Sequence, residues 1–312
     1  MRFAHPWLDA TYVKCRVDGR SVSQAVVTAI GLDDTGHKRF LGVDCADTES
    51  HAGWKAFLSD LRARGVAAGE DGAQLVVSDA HEGLESAIAE TFQWAAWQRC
   101  VTHLMRNVVG HVHRREDQRI AREAMKAAFA QKNPLVARAH CQRAAEEVAK
   151  PSPSAGGVLL EAEEALAYPA FPVSHRTKIR TDNVQERADR EIKRRTNVVQ
   201  GFPSRESLIR LASAVLIEAD EERSVSCVIS KPLPAHAWRR AEGSTPSEES
   251  MLAARQAAVE IISAAIDPEG EQGQHSSSRG GRRFQRWPLM HHKSGRGLLF
   301  SWYDMDVIDS NL

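Results

Sequence analysis

Leu8-Asp9-Ala10-Thr11-Tyr12-Val13-Lys14-Cys15-Arg16-Val17 is the stretch on which the fold turns. It is rich in β-formers, and Asp18-Gly19 directly after it is a turn of the hairpin type. Ser21–Leu32 reads as a second strand, Asp33-Asp34-Thr35-Gly36 as another turn, and Lys38–Asp44 as a third strand. Strands joined by such short turns form an antiparallel meander. One residue jars. An acid inside a β-core carries a heavy desolvation cost unless a cation or dense hydrogen bonding offsets it. Asp9 therefore either lies on the solvated side of an edge strand or belongs to a site.

Downstream, Glu49–Arg64 switches to helical periodicity, with Trp54, Phe57, Leu58 and Leu61 as its apolar stripe. Gln74–Ser78 is a short continuous apolar run, the pattern of a strand buried on both faces, and Asp79 stands at its carboxyl end. His81–Phe92 is amphipathic on Leu84, Ile88 and Phe92, and Trp94–Trp97 reads as a fifth strand. This order predicts an α/β fold: a mixed five-stranded sheet, antiparallel meander plus parallel strands, with helices packed on it.

From Cys100 to about Ala167 the pattern is helical, in the stretches Val101–His113, Glu116–Gln131 and Pro134–Ala149. Pro151-Ser152-Pro153-Ser154-Ala155-Gly156-Gly157 reads as a break, after which Val158–Tyr168 resumes the helix. The all-helical block at 100–180 looks like an insertion. It separates the first part of a sheet domain, 1–99, from its final helices at 181–226, where Ser204–Glu222 is amphipathic on Leu208, Leu211, Val215 and Leu216. Residues 227–312 are expected to be an irregular tail, with the Gly/Ser/Arg-rich segment 267–283 disordered.

The chain's 312 residues give ample material for a core, and 42% apolar with 26% charged residues is the balance of a soluble globular protein. Forty-one basic residues offset forty-one acidic ones, so only local clustering can point to a nucleic-acid partner. Five cysteines form no CxxC pair, which fits a reducing compartment. No apolar run spans a bilayer and Met1–Pro6 lacks a signal-peptide core, so a cytoplasmic protein without a membrane partner is expected.

A second stretch, Thr181-Asp182-Asn183-Val184-Gln185-Glu186-Arg187, opens a basic helical run. Asn183 suits an N-cap and Glu186 the matching capping-box acid, while Arg187, Arg190, Lys193 and Arg194 recur at helical spacing. Asp9, Asp79 and Glu186 each have a bland reading: solvated edge, cap of the helix from His81, capping box. Together they occupy places that one sheet gathers at the carboxyl ends of its strands. Clustered carboxylates repel unless they share a cation, and hard oxygen donors with open positions suit Mg²⁺ or Mn²⁺. Two such ions roughly 4 Å apart activate an attacking oxygen and stabilise a leaving one in phosphodiester chemistry.

These residues carry a resemblance. Leu8–Lys14, then Val76-Val77-Ser78-Asp79-Ala80-His81-Glu82-Gly83-Leu84, are similar to bacterial insertion-sequence transposases of the Mutator type. Trp97-Gln98-Arg99-Cys100-Val101-Thr102-His103-Leu104-Met105-Arg106-Asn107, Asn183-Val184-Gln185-Glu186-Arg187 and Glu191-Ile192-Lys193-Arg194-Arg195-Thr196 match in the same order, from about Leu8 to Glu222. The resemblance implies an RNase H-like core with an all-helical insertion, and Asp9, Asp79 and Glu186 as a DDE triad. Such enzymes use a divalent metal to cut DNA at transposon ends and join the freed 3′-hydroxyl to target DNA, and they usually act as homo-oligomers.

Cys100 and His103 match the family's C-x2-H signature. Structural zinc wants four ligands and no second pair is in view, so a buried cysteine and a positioned histidine near the site are expected. His81, two residues after Asp79, is placed to orient a water or a phosphate. For DNA contact the basic candidates are Arg187, Arg190, Lys193, Arg194 and Arg195, with Arg99, Arg106, Arg114 and Arg115 from the insertion. Trp94 and Trp97 are expected in the core.

Three departures qualify the resemblance. Relatives carry an amino-terminal helical domain that recognises transposon ends, so an amino-terminally truncated core is expected here. The family reads Leu-Asn after the Glu-Arg pair, where this chain has Ala188-Asp189, adding negative charge beside the triad. The family's tail resumes at Ser247-Glu248-Glu249-Ser250-Met251, after an extra segment around Cys227 to Thr245. Two other readings stay open: a catalytically inactive remnant acting as a DNA- or protein-binding module, and an RNase H-like nuclease that cuts without joining.

Overall fold

The computed structural model describes residues 2–69, 72–199, 201–223 and 246–267. Asp18 and Gly19 take positive φ angles of 49° and 76°, the handedness a two-residue turn between right-twisted strands requires. That turn joins β1 (Phe3–Val17) to β2 (Arg20–Asp33), and β3 (Lys38–Ala46) completes the antiparallel meander. β1 starts five residues before the β-rich composition does. Its ladder with β2 runs back to Phe3↔Asp33, so the partner strand sets the boundary.

α1 (His51–Ala63) is capped by Ser50, whose hydroxyl accepts from the Gly53 N–H at 3.2 Å. Then come β4 (Leu75–Ser78), α2 (Glu82–Thr91) and β5 (Ala96–Arg99). The sheet order is β3-β2-β1-β4-β5, with β1, β4 and β5 mutually parallel. The mixed five-stranded α/β sheet is as expected.

Between β5 and the next site-bearing helix the described residues form only helices. These are α3 (Val101–Gly110), α4 (Arg115–Phe129), α5 (Pro134–Ala149), α6 (Pro153–Leu160) and α7 (Val173–Ile179), with 3₁₀ turns at Glu163–Leu166 and Tyr168–Ala170. The break expected over Pro151–Gly157 is confined to the residues between α5 and α6, and the helix restarts at Pro153. Ser152 caps α6, accepting from the Ala155 N–H at 3.3 Å, and Pro153 takes the first turn, where a missing N–H costs nothing. A Cβ on Gly156 would lie 2.5 Å from that of Ala149, so glycine is what lets α6 lie against α5. Val158–Tyr168 is not one helix, since α6 ends at Leu160.

α8 (Asn183–Thr196) and α9 (Arg205–Arg223) follow. α10 (Glu248–Ile266) lies in the stretch expected to be irregular; Ser247 caps it, and Ala254 and Ala258 pack on Ala139 of α5. The segment expected to be disordered lies outside the described residues beyond Asp267. Among the described residues no helix is long and apolar enough to cross a membrane.

Strand alternation divides the core between the two faces of the sheet. Leu8 and Val76 join Trp54, Phe57, Leu58 and Leu61 of α1 and Leu84 and Ile88 of α2. Trp7 and Val77 face the other way, into a core shared with Val184, Ala188 and Ile192 of α8 and Leu208 and Val215 of α9. Each large apolar side chain so enclosed contributes roughly 1.5–3 kcal/mol relative to exposure.

Candidate active site

β1 and β4 pair only at Trp7↔Val77 and Leu8↔Ser78. Asp9 and Asp79 are therefore the next residue of each strand, side by side where the two part, at a strand spacing of about 4.8 Å. Each carboxylate accepts the N–H of the residue after it, Ala10 and Ala80, at 2.8 Å. Trp97 fixes the end of β4, its indole N–H donating at 2.8 Å to the Ser78 hydroxyl, which in turn donates to the Asp79 carbonyl at 2.9 Å. Asp79 is not a helix cap. His81 takes that position on α2, without a side-chain cap bond.

The first turn of α8 is bolted to the sheet by a glutamine. Gln185 Nε2 donates to the carbonyls of Trp7 at 2.7 Å and Thr28 at 3.1 Å, and its Oε1 accepts from the Thr28 hydroxyl at 3.2 Å. The Trp7 indole donates to the Thr181 carbonyl at 3.2 Å. The expected capping box is absent. Asp182, not Asn183, is the N-cap residue, its side chain makes no cap bond, and its N–H donates to Cys100 Sγ at 3.2 Å. Asn183 is the exposed first residue of the helix. The box position falls to Gln185, which is spent on the strands, so Glu186 is left to face the aspartates.

His103, on the first turn of α3, meets two of the three acids. Its Nδ1 is 3.8 Å from Asp79 Oδ2 and its Nε2 is 3.5 Å from Glu186 Oε1. Arg106, three residues on, donates to the same Glu186 oxygen at 2.8 Å. Asp9 feels the charges of His103 and Asp79 and shares a side-chain hydrogen bond with Asp189. Burial pushes the Asp9 carboxyl up, against the pull of the Ala10 N–H and Asp189. Burial, then the charge of Asp9 and the bond to it, push Asp189 up to about 9. Burial opposes charging of His103, but the Cys100 sulfur and Asp79 outweigh it and hold the ring up to about 9.

Two acids of this cluster escaped sequence reasoning as site residues, Asp182 and Glu49. With Glu186 and Asp189, Asp182 falls at i, i+4 and i+7 on α8, a one-face spacing visible in the sequence. Glu49 sits just before α1, where it feels Asp9, Asp79 and His81 and accepts from Tyr12; strand and helix periodicity say nothing of such a loop position.

As they stand, no three His, Cys, Asp or Glu side chains among the described residues are arranged to hold a metal ion. His103 and Arg106 supply the positive charge between the acids. The donor chemistry nonetheless fits a hard divalent cation: every acid here offers oxygens, and neither carboxylate oxygen of buried Asp182 has a hydrogen-bond partner. Asp9, Asp79 and Glu186 are the acids whose oxygens such an ion would meet if it displaced His103 from between Asp79 and Glu186. Cys100 is buried, with its sulfur against the Asp182 N–H and His103.

The basic candidates divide. Arg187, Arg190 and Lys193 are exposed along α8. Arg194 and Arg195 are both paired with Glu191, and Arg195 also with Glu218 at 3.0 Å. Arg99 is mostly buried and paired with Glu164 at 3.2 Å. Arg114 and Arg115 are exposed at the start of α4, beyond α3 and hence about 15 Å along its axis from Cys100. Trp97 packs against the α1/α2 core as expected, whereas Trp94 is 71% exposed. It precedes β5, at the end of the sheet away from the acids, where the turn out of α2 leaves it uncovered.

Residues 1–226 match the family described as Transposase, Mutator family. The chain belongs to that family. It is 36% identical over 217 residues to the transposase for insertion sequence element IS406 of Burkholderia multivorans, a span that covers 69% of this chain and 55% of that protein. It is likewise 36% identical over 220 residues to the transposase for ISRM5 of Rhizobium meliloti, covering 70% and 54%. With the transposase for IS256 in transposon Tn4001 of Staphylococcus aureus it shares 32% over 223 residues, covering 70% and 56%. The chain thus spans about half the length of the curated relatives it matches.

Proposed function

We propose that this chain is the catalytic core of a DDE transposase, with Asp9, Asp79 and Glu186 holding Mg²⁺ or Mn²⁺ to cut DNA at transposon ends and join the freed 3′-hydroxyl to target DNA. The observation that carries the reading is convergence. The acid at position 9 lies within β1 just past its last pairing with β4, the acid at 79 directly follows β4, and that at 186 is on the helix docked over them; His103 links two of the three within 4 Å. The sheet order, with an antiparallel meander beside parallel strands, supports an RNase H-like core. Residues 100–180 then form its helical insertion, which contributes His103 and Arg106 to the site.

Bound ions would activate the attacking oxygen and stabilise the leaving one. The chain's own residues do the positioning. Gln185 fixes the register of α8 on β1, Asp189 holds Asp9 by a hydrogen bond, and Trp97 through Ser78 steadies Asp79. Arg187, Arg190 and Lys193, beside Glu186 on an exposed face, neutralise DNA phosphates on the approach to the acids. Action as a homo-oligomer follows from the family reading.

The test is strand transfer of pre-cleaved ends in Mg²⁺, comparing the parent with Asp9→Ala, Asp79→Ala and Glu186→Ala. Each substitution is expected to lower joining by about 10³-fold or more, since electrostatic stabilisation by one such group is worth several kcal/mol. Equal residual activity in all four proteins contradicts the reading. One observation favours a second: Arg106 and His103 already satisfy Glu186 without a metal. A catalytically inactive DNA-binding module would show salt-dependent binding with neither cutting nor joining.

A further inference from the structure

The side of α8 turned to the sheet carries Asp182, Glu186 and Asp189, of which the chemistry above uses Glu186 as a cation ligand and Asp189 as a hydrogen-bond partner. Asp182 has no role in it. It is fully buried, and neither carboxylate oxygen has a hydrogen-bond partner. An acid at a helix start normally accepts from an amide of the first turn, yet this one makes no such bond. The groups whose charge it feels are Asp9, Cys100, Asp189 and Glu186. A buried acid that feels other acids and has no donor to its oxygens lacks the compensation that buried carboxylates require.

We infer that Asp182 is a further cation-binding carboxylate, an oxygen donor from the N-cap of α8 to the divalent ion held by Asp9, Asp79 and Glu186. The inference rests on the metal-binding reading of that triad and extends it to a residue one helical turn before Glu186. A divalent ion takes six or more oxygen ligands, and three side chains leave positions open to another carboxylate.

The experiment is a Mn²⁺ titration of the full chain by calorimetry, with thermal melts in EDTA and in Mn²⁺, on the parent, Asp182→Asn, Asp182→Glu and Asp79→Asn. Asp182→Asn is expected to weaken Mn²⁺ binding about tenfold or more, to melt no lower than the parent in EDTA, and to lose most of the Mn²⁺-induced rise in Tm. Asp182→Glu, which keeps the oxygens, is expected to recover part of the affinity. If Asp182→Asn binds Mn²⁺ within about twofold of the parent while Asp79→Asn does not bind, Asp182 is no ligand and the triad reading stands. An Asp182→Asn protein that melts well below the parent in EDTA marks the residue as structural and overturns the inference. A parent that binds no Mn²⁺ at millimolar concentration overturns both.

Discussion

Gln185 donates its side-chain N–H to the Trp7 carbonyl at 2.7 Å, tying the first turn of α8 to β1 two residues before Asp9. The same side chain also bonds the Thr28 carbonyl and hydroxyl on β2. Gln185→Leu would remove these bonds, leaving the Thr28 hydroxyl only its 3.5 Å contact with the Asp9 carbonyl, and each buried group left unsatisfied costs about 1–3 kcal/mol. The expected outcome is a chain less stable by roughly 2–4 kcal/mol in urea unfolding. A loss below about 1 kcal/mol would mean that apolar packing alone holds the helix in register.

His103 carries positive charge between Asp79 and Glu186 where the proposed ion would otherwise balance them. His103→Gln leaves the acids facing one another. In EDTA the variant is expected to be less stable than the parent by about 1–2 kcal/mol, the range for losing one partner of a partly buried charge cluster. Millimolar Mg²⁺, binding only the native state, should shrink that gap. Urea melts with and without Mg²⁺ read both. A gap that is the same in both conditions would separate His103 from any cation site.

His5 Nε2 and His175 Nδ1 share a hydrogen bond at 3.0 Å, with both rings fully buried and Phe171 edge-on to His5. Burial, then His175, lower His5 from 6.5 to about 3, and burial lowers His175 from 6.5 to about 4. Below pH 6.5 the unfolded chain takes up protons that the native pair refuses. The pair's contribution is therefore whole above that pH and is lost as pH falls toward 4, at about 1.4 kcal/mol per unit for each ring. Acids with raised values, such as Asp189, slope the other way, so the decisive quantity is a difference. From pH 7.5 to 5.5 the parent is expected to lose about 1 kcal/mol more than His175→Gln does. Identical pH slopes would contradict a neutral buried pair.

Along α8 the cations are not equivalent. Arg187 and Lys193 are exposed, whereas Arg194 and Arg195 are held by Glu191. Replacing Arg187 and Lys193 together with alanine should reduce the slope of log affinity against log salt for duplex DNA by about 2, near one unit per phosphate contact. Arg194→Ala should change it by much less than one unit. Equal effects from both would show that Glu191 releases its partners on binding.

The sheet was legible because its signals are local: β-rich runs separated by Asp18-Gly19 and Asp33-Asp34-Thr35-Gly36, then the apolar run before Ser78. The helix start at Asp182 was not. Asn183 has good cap chemistry, but tertiary contacts of Gln185 and the Cys100–Asp182 bond decide where the helix begins. Pro153–Gly157 misled for a related reason. Proline and serine at a helix start resemble a break until Gly156 is seen to allow contact with α5. For the site, Asp9, Asp79 and Glu186 stood out by position and by resemblance. Asp182 could have been found from its spacing to Glu186 and Asp189, but nothing local says that its oxygens lack partners.

Everything proposed for the site requires one divalent-cation pocket where β1 and β4 part beneath α8. Anomalous diffraction from crystals soaked in Mn²⁺ tests this most directly. A peak is expected at about 2.0–2.3 Å from carboxylate oxygens of Asp9 and of Asp79 or Glu186, with His103 displaced from between them. Fully soaked crystals with no peak in that pocket, and His103 still bridging Asp79 and Glu186, would contradict it.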